Sequence, residues 1–273
     1  LFHSQWKDLL EIDNFLGFMN TPIIKAKKGS QELSFYNDSD YKQWKQANNN
    51  GKGWKIKYFK GLGTSTAKEF KEYFAEKKFV YFKHDGSPCD NAIDMAFNKK
   101  RADDRKDWLG EYNPDSVLNP DNNNVSFEEF INNELIHFSK YDCDRSIPNM
   151  MDGNKISTRK ILFAAFKRNL TSEIKVAQFA GYTSEHSAYH HGEKSLVEAI
   201  INMAQEYVGS NNINTLLPNG QFGTRLQGGK DHASERYIFT MLNPITKYIY
   251  RQDDLPILNY LDDDGTPVEP DFY

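Results

Sequence analysis

The residues best placed to do covalent chemistry lie late in the chain. Arg236 and Tyr237 are neighbours inside Ser234-Glu-Arg-Tyr-Ile-Phe-Thr. A phenol titrates near ~10 and is a poor nucleophile unless positive charge stands beside it. Arg236 can supply that charge. Its guanidinium can also neutralise the extra charge on a phosphate under in-line attack. The chain has 15 tyrosines, so the pair alone reads more often as structural, and its significance rests on what accompanies it.

A second group is Tyr189-His190-His191-Gly192-Glu193, with Ser195 just beyond. Adjacent histidines point in different directions on any regular element, and no third ligand stands at metal-binding spacing. The better reading is anion contact, with His191 near a helix N-terminus where free backbone N–H groups attract phosphate. A third group is Arg145-Ser-Ile-Pro followed by Asp152-Gly-Asn-Lys155-Ile-Ser-Thr-Arg159-Lys160. Four cations around one helix start suit a phosphodiester backbone better than a small ligand. Lys99 and Lys100 are outlying candidates, weighed against a solvated helix face.

Several chemistries are excluded. Lys60-Gly-Leu-Gly-Thr-Ser-Thr looks like a phosphate loop but lacks the Walker spacing and its Lys-Ser/Thr ending. Asp262-Asp-Asp has neither the alternating ligands nor the closing Glu of a calcium loop. Cys89 and Cys143 are the only cysteines, too far apart in pattern for a disulfide framework or a cysteine zinc site, and they suggest a reducing compartment. No apolar run reaches the ~18 residues of a membrane span. Leu1–Leu10 is too polar for a signal peptide. With no initiator Met, the chain reads as an internal piece of a longer protein. Its 273 residues carry a net charge of −4, which by itself does not suggest nucleic acid. The charge is segregated, however: Lys52–Lys83 is rich in lysine and Arg251–Tyr273 is acidic.

These groups need elements to hold them. Leu9, Ile12, Phe15, Leu16 and Met19 recur at helical spacing before Pro22. Pro22–Lys27 and Glu32–Tyr36 read as a hairpin, and Lys55–Lys60 as a further strand. A helix follows over Ala67–Lys78, capped by Ser65 or Thr66, then a strand at Phe79–Phe82. Residues 90–112 and Phe127–Phe138 read as helical. The stretch between them, 113–124, holds two Pro and five Asn and is the best linker. In the second half, one helix begins near Ser157. A second runs from a Ser172 cap to a Gly181 stop, and a third spans Leu196 to Val208. A hairpin at Leu216-Leu-Pro-Asn-Gly-Gln-Phe completes the order of a winged helix-turn-helix. The fold class is therefore α+β, mixed helices and short strands with a winged helix-turn-helix in the second half. Four parts are expected: 1–45, 46–144, 145–244 and an acidic 245–273 that begins another element.

Taken together, several stretches resemble eukaryotic-type DNA topoisomerase II, a type IIA topoisomerase. They are Tyr58-Phe-Lys-Gly-Leu-Gly-Thr-Ser-Thr-Ala-Lys-Glu, Asp103-Asp-Arg-Lys-Asp-Trp-Leu, Arg145-Ser-Ile-Pro, Tyr189-His-His-Gly-Glu, Gly220-Gln-Phe-Gly-Thr-Arg-Leu-Gln-Gly-Gly-Lys-Asp and Ala233-Ser-Glu-Arg-Tyr-Ile-Phe-Thr. They follow the family's order and span nearly the whole chain. The resemblance implies that residues 1–45 end a TOPRIM domain, that 145–244 form the cleavage domain and that 245–273 begin a tower-like domain.

It also implies roles. Tyr237 would form a 5′-phosphotyrosyl bond to DNA, with Arg236 and His191 assisting. Lys99, Lys100, Arg145, Lys155, Arg159, Tyr189, His190 and Ser195 would contact double-stranded DNA. The enzyme would be a nuclear homodimer driven by ATP and using Mg²⁺, both bound by regions outside these residues. Two departures stand out. Glu235 replaces a Pro that commonly precedes the Arg-Tyr pair. Asn154, Ile156, Ser157 and Thr158 replace the family's Leu, Pro, Gly and Gln. Two other readings compete: a winged-helix DNA-binding module without chemistry of its own, and a structural or dimerising segment.

Overall fold

The computed structural model describes every residue except Lys60, His190 and Asp264. Two compact units emerge, Leu1–Tyr141 and Asp142–Tyr273.

The first unit opens with a short helix, α1 (Phe2–Gln5), and a 3₁₀ turn at Lys7–Glu11. The helix expected from Leu9 to Met19 does not form. Leu9 lies in that turn, Ile12, Phe15 and Leu16 lie in the bends that follow it, and Met19 lies in a strand, β1 (Gly17–Met19), so no continuous helix carries the spacing. Strands β2 (Ile24–Lys28) and β3 (Gln31–Phe35) make the expected hairpin, with Ile24 opposite Phe35 and Lys28 opposite Gln31. After helix α2 (Asp38–Ala47), strand β4 (Lys55–Tyr58) pairs with the other edge of β2. Ile24, Ala26, Phe35 and Tyr41 are buried together, flanked by Trp44, Trp54 and Ile56. The boundary expected at residue 45 thus falls inside one small core.

Helix α3 (Ala67–Glu76) starts at Thr66, whose hydroxyl caps the Glu69 backbone while the Glu69 carboxylate returns to the Thr66 N–H at 2.7 Å. Burial pushes the Glu69 carboxyl up. The Lys57 ammonium and the Thr66 groups more than offset this and hold it at about 2. Strand β5 (Phe79–Lys83) lies between β1 and the parallel strand β6 (Asn124–Ser126). The helical stretch expected at 90–112 is broken in two, α4 (Ser87–Phe97) and α5 (Ala102–Gly110), with a 3₁₀ turn at Lys99–Arg101 between them. Then come α6 (Phe127–Phe130), a π-helical turn at Ile131–Leu135, and α7 (Ile136–Ser146).

Residues 113–124 are not a linker. The His137 ring bonds the Ser116 carbonyl at 2.7 Å, the Ser116 hydroxyl bonds Asn133 at 2.6 Å, and Tyr81 N–H donates to Asn123 O at 2.9 Å. Polar composition here serves side-chain and backbone bonding within the unit.

The second unit has one large core. Helix α8 (Ile156–Lys167), a two-residue strand β7 (Ile174–Lys175), α9 (Val176–His186) and α10 (Glu193–Ala204) are followed by β8 (Leu216–Asn219) and β9 (Phe239–Leu242). Leu162, Phe179, Leu196, Ile200 and Leu216 are fully buried at its centre. Four sequence expectations shift. Lys175 and not Ser172 precedes α9, and α10 ends at Ala204, which leaves Val208 exposed. Gly181 lies inside α9 instead of stopping it, because the helix is carried on by the buried Phe179, Ala180 and Thr183 face. The hairpin expected at Asn219-Gly220 is not tight. β8 pairs with β9, Asn219 opposite Phe239, so residues 220–238 form a long excursion from the wing. Strand β7 completes the sheet order β7-β9-β8.

The acidic end is part of this unit. After a short α11 (Thr246–Ile249), strands β10 (Tyr260–Asp263) and β11 (Thr266–Pro270) form a hairpin whose second strand packs on α8. Glu269 is buried and meets Lys160 of α8 at 2.8 Å.

Candidate active site

The excursion 220–238 is held shut before it reaches Arg236 and Tyr237. Gln205, at the end of α10, is buried and its amide donates to Phe222 O at 2.8 Å and Gly229 O at 3.2 Å. Thr224 donates from N–H and hydroxyl to the two oxygens of Asp231, at 2.8 and 2.7 Å. Gly229 has φ +78°, and a Cβ there would run into the Gln205 amide and the Tyr207 hydroxyl, so only glycine fits.

The chain then returns past the start of α9. Glu235 O accepts from Ala177 N–H at 3.1 Å, and Ile238 O accepts from Val176 N–H at 3.0 Å. Ile238 is buried at 1% exposure and plugs the core. Between these two attachments the backbone turns outward, with Tyr237 N–H closing on Ser234 O at 2.9 Å. The turn presents Arg236 and Tyr237 to solvent. Tyr237 is 72% exposed, and the Arg236 guanidinium sits 5.8 Å from its ring centroid. The phenol is therefore reachable, beside a cation, on a rigidly rooted turn.

The second group lies where α10 begins. Ser195 Oγ donates to Gly192 O at 2.7 Å, and the Tyr189 and Ser195 hydroxyls share a bond of 2.9 Å. Tyr189 is mostly buried, and its ring meets His191 edge-on at 5.4 Å. Tyr189 and Ser195 thus bond one another and support His191. His190 lies outside the described residues. Lys160 Nζ bonds the Ser187 carbonyl and Glu269 together, so one ammonium ties α8 and the β10–β11 hairpin to the segment leading to Tyr189. Lys160 is among the cations expected from the sequence to face phosphate; it is instead this largely buried strut, whose partners 27 and 109 residues away leave no local signal.

The third group divides. Arg145, in the last turn of α7, and Lys155, just before α8, are exposed. Arg159 is not a surface cation, which corrects the sequence expectation. Its side chain is 5% exposed and binds Asp152 through two bonds, 2.8 and 3.0 Å, with a third to Asn154 O at 3.2 Å. Burial pushes the Asp152 carboxyl up. Arg159, with the N–H groups of Asn154 and Tyr273, pulls it below its ordinary value. Lys99 and Lys100 belong to the first unit and are exposed. Arg225 and Lys230 are exposed on the same excursion as Tyr237. Sequence reasoning misses these two as contacts, although their place in the Gly220–Asp231 motif is the signal that could have found them.

Residues 19–143 match the family model described as the C-terminal associated domain of TOPRIM. Residues 145–273 match the model for the A component of DNA gyrase/topoisomerase IV. The chain is 52% identical over its whole length to DNA topoisomerase 2 of Plasmodium falciparum, covering 20% of that protein. It is 53% identical to DNA topoisomerase 2 of Arabidopsis thaliana, over 99% of this chain and 19% of the relative. The crystal structure of the Plasmodium falciparum topoisomerase II DNA-binding, cleavage and re-ligation domain superposes with a TM-score of 0.82 at 52% identity. It is matched over all of this chain and 37% of its own. The chain thus spans about a fifth of the length of its curated relatives. Over all of that span it belongs to the family of the eukaryotic DNA topoisomerases 2, the type IIA topoisomerases.

Proposed function

We propose that this chain supplies the DNA cleavage and religation core of a type II topoisomerase, and that Tyr237 is its nucleophile. The supporting observation is the outward turn that exposes Tyr237 beside Arg236 while both flanking residues are tied to α9. The Tyr237 oxygen attacks a backbone phosphorus, an O–P bond forms to the 5′ side, and the 3′ oxygen leaves with a proton. Resealing is the same exchange in reverse, so the phosphodiester energy is conserved in the covalent bond. Arg236 would stabilise the charge that builds on the phosphate in both directions. His191, supported by Tyr189 and Ser195, would contact the cleaved strand. Arg145 and Lys155 would hold the duplex through its phosphates, with Arg225, Lys230, Lys99 and Lys100 as further contacts.

The ATP-driven passage of a second duplex, the homodimer and the nuclear setting belong to this proposal through the relatives. Mg²⁺ does not fit the residues described. Their one group of three converging metal-binding side chains is His3, His84 and Asp90, and two imidazole nitrogens are poor donors for an ion that prefers oxygen. No step is therefore assigned to it. The turn after Lys60 does not suit ATP either. Thr64 hydroxyl bonds Gly61 O and Ser65 N–H bonds Leu62 O, so the loop closes on itself. No helix among the described residues is long and apolar enough to cross a membrane.

The test is Tyr237→Phe in the full-length enzyme. Covalent protein–DNA adducts trapped by denaturant should vanish while noncovalent duplex binding persists. Adducts that survive in this variant would refute the assignment. A catalytically silent winged-helix module would show no adducts in the parent enzyme either.

A further inference from the structure

We propose that the first unit carries a binding site for a transition-metal ion of the zinc class, built from His3, His84 and Asp90. The site lies wholly within that unit and is independent of the proposed cleavage chemistry.

Three separate elements meet here. His3 is on α1, His84 follows the end of β5, and Asp90 is in the first turn of α4. Both imidazoles aim Nε2 at the same carboxylate oxygen, Asp90 Oδ1, at 2.9 Å for His3 and 2.8 Å for His84. The ring centroids are 6.5 Å apart at 37°, so the rings converge by their edges. The three ligand atoms all lie within 4.8 Å of one another. A tetrahedral ion with bonds of about 2.0–2.2 Å separates neighbouring ligands by about 3.4 Å. The two His–Asp90 separations need to open by about half an ångström to admit one, with the imidazole nitrogens already within 4.8 Å of each other.

The surroundings favour an open site. His84 is 4% exposed and holds the inner edge, while His3 at 28% and Asp90 at 31% leave one side to water. Three protein ligands and one solvent position is the pattern of an accessible zinc centre. Two imidazoles and one carboxylate suit Zn²⁺, Co²⁺ or Ni²⁺ and discriminate against Mg²⁺. One group opposes the ion. Lys7 Nζ bonds the other oxygen, Asp90 Oδ2, at 2.6 Å. At 44% exposure it can turn to water when a cation arrives, and it sets a specific expectation for its own removal. His3 and Asp90 stand 87 residues apart, so no local spacing announces the group.

Calorimetric titration of the chain with Zn²⁺ should show one equivalent bound. Co²⁺ should give the visible absorption of a tetrahedral N/O site, and Mg²⁺ should not compete. His84→Ala and His3→Ala should each weaken Zn²⁺ binding by more than the roughly 10–100-fold typical of losing an outer-shell partner. Lys7→Ala should tighten it. If His84→Ala fails to fold, the more exposed His3 variant should still weaken binding and the Lys7 variant still tighten it. The proposal is overturned by the absence of saturable binding at one equivalent, by an affinity indifferent to the His3 variant, or by a Lys7 variant that binds no tighter.

Discussion

Two arginines that look alike in the sequence have opposite fates. Arg159 and Arg236 each sit in a short motif beside a helix or strand start, and each is a candidate for holding phosphate. Asp152, whose side chain is fully buried, claims Arg159 with two bonds and draws it inside. Arg236 neighbours Glu235, but that acid is engaged by the Ser234 hydroxyl at 3.3 Å, and the guanidinium stays in solvent. A cationic motif therefore marks a nucleic-acid contact only when no buried carboxylate intercepts it.

The sharpest way to break this comparison is to truncate each arginine. Arg159→Ala should destabilise the second unit by about 3–5 kcal/mol, because Asp152 would remain buried and unpaired. Denaturant unfolding measures it. A loss below about 1 kcal/mol would mean that the pair is not structural. Arg236→Ala should leave stability nearly unchanged and lower the cleavage rate by about 10²–10³-fold, the usual cost of one transition-state donor. Single-turnover adduct formation in the full-length enzyme would show it.

Acid sharpens the same contrast. The Asp152 carboxyl is depressed in the folded protein. Its pairing therefore stabilises the unit above the unfolded carboxylate value of about 3.9 and fades as pH falls below it. Unfolding followed between about pH 5 and pH 2 should lose this contribution in the parent and show a shallower acid dependence in Arg159→Ala. An unchanged profile would contradict the assignment.

Smaller effects follow for exposed charge. Lys155→Ala should weaken duplex binding evenly across sequences and reduce the salt slope by about 0.9, one phosphate contact. A slope equal to the parent's would remove Lys155 from the interface. Glu235→Gln should give the smallest change, a modest rise in cleavage rate as negative charge beside the phosphate is withdrawn. A fall would show that the acid assists the reaction.

Much of the local structure was legible. The β2–β3 hairpin, the Thr66 cap and the α8 face follow from alternation, capping chemistry and helical spacing. What escaped was whatever depended on distant partners. Asn219-Gly220 has the composition of a tight turn, yet Gly220 lies where a Cβ would stand 3.0 Å from the Ile238 side chain. Its glycine serves close approach to Ile238, and β8 finds its mate at β9. Asn-rich 113–124 reads as a linker until Asn133 and His137 supply its partners. Of the candidate site, Tyr237 and Arg236 stand out by the motifs that accompany them and not by type, but only the folded chain separates exposed Lys155 from buried Arg159.

The way the reactive turn is rooted bears on how it can vary. At position 235 the mooring uses a carbonyl oxygen alone, and every amino acid, proline included, owns one. Evolution is consequently free to exchange the side chain at position 235 without unseating the phenol, and a glutamate there retunes the local field while the scaffold stays as it was.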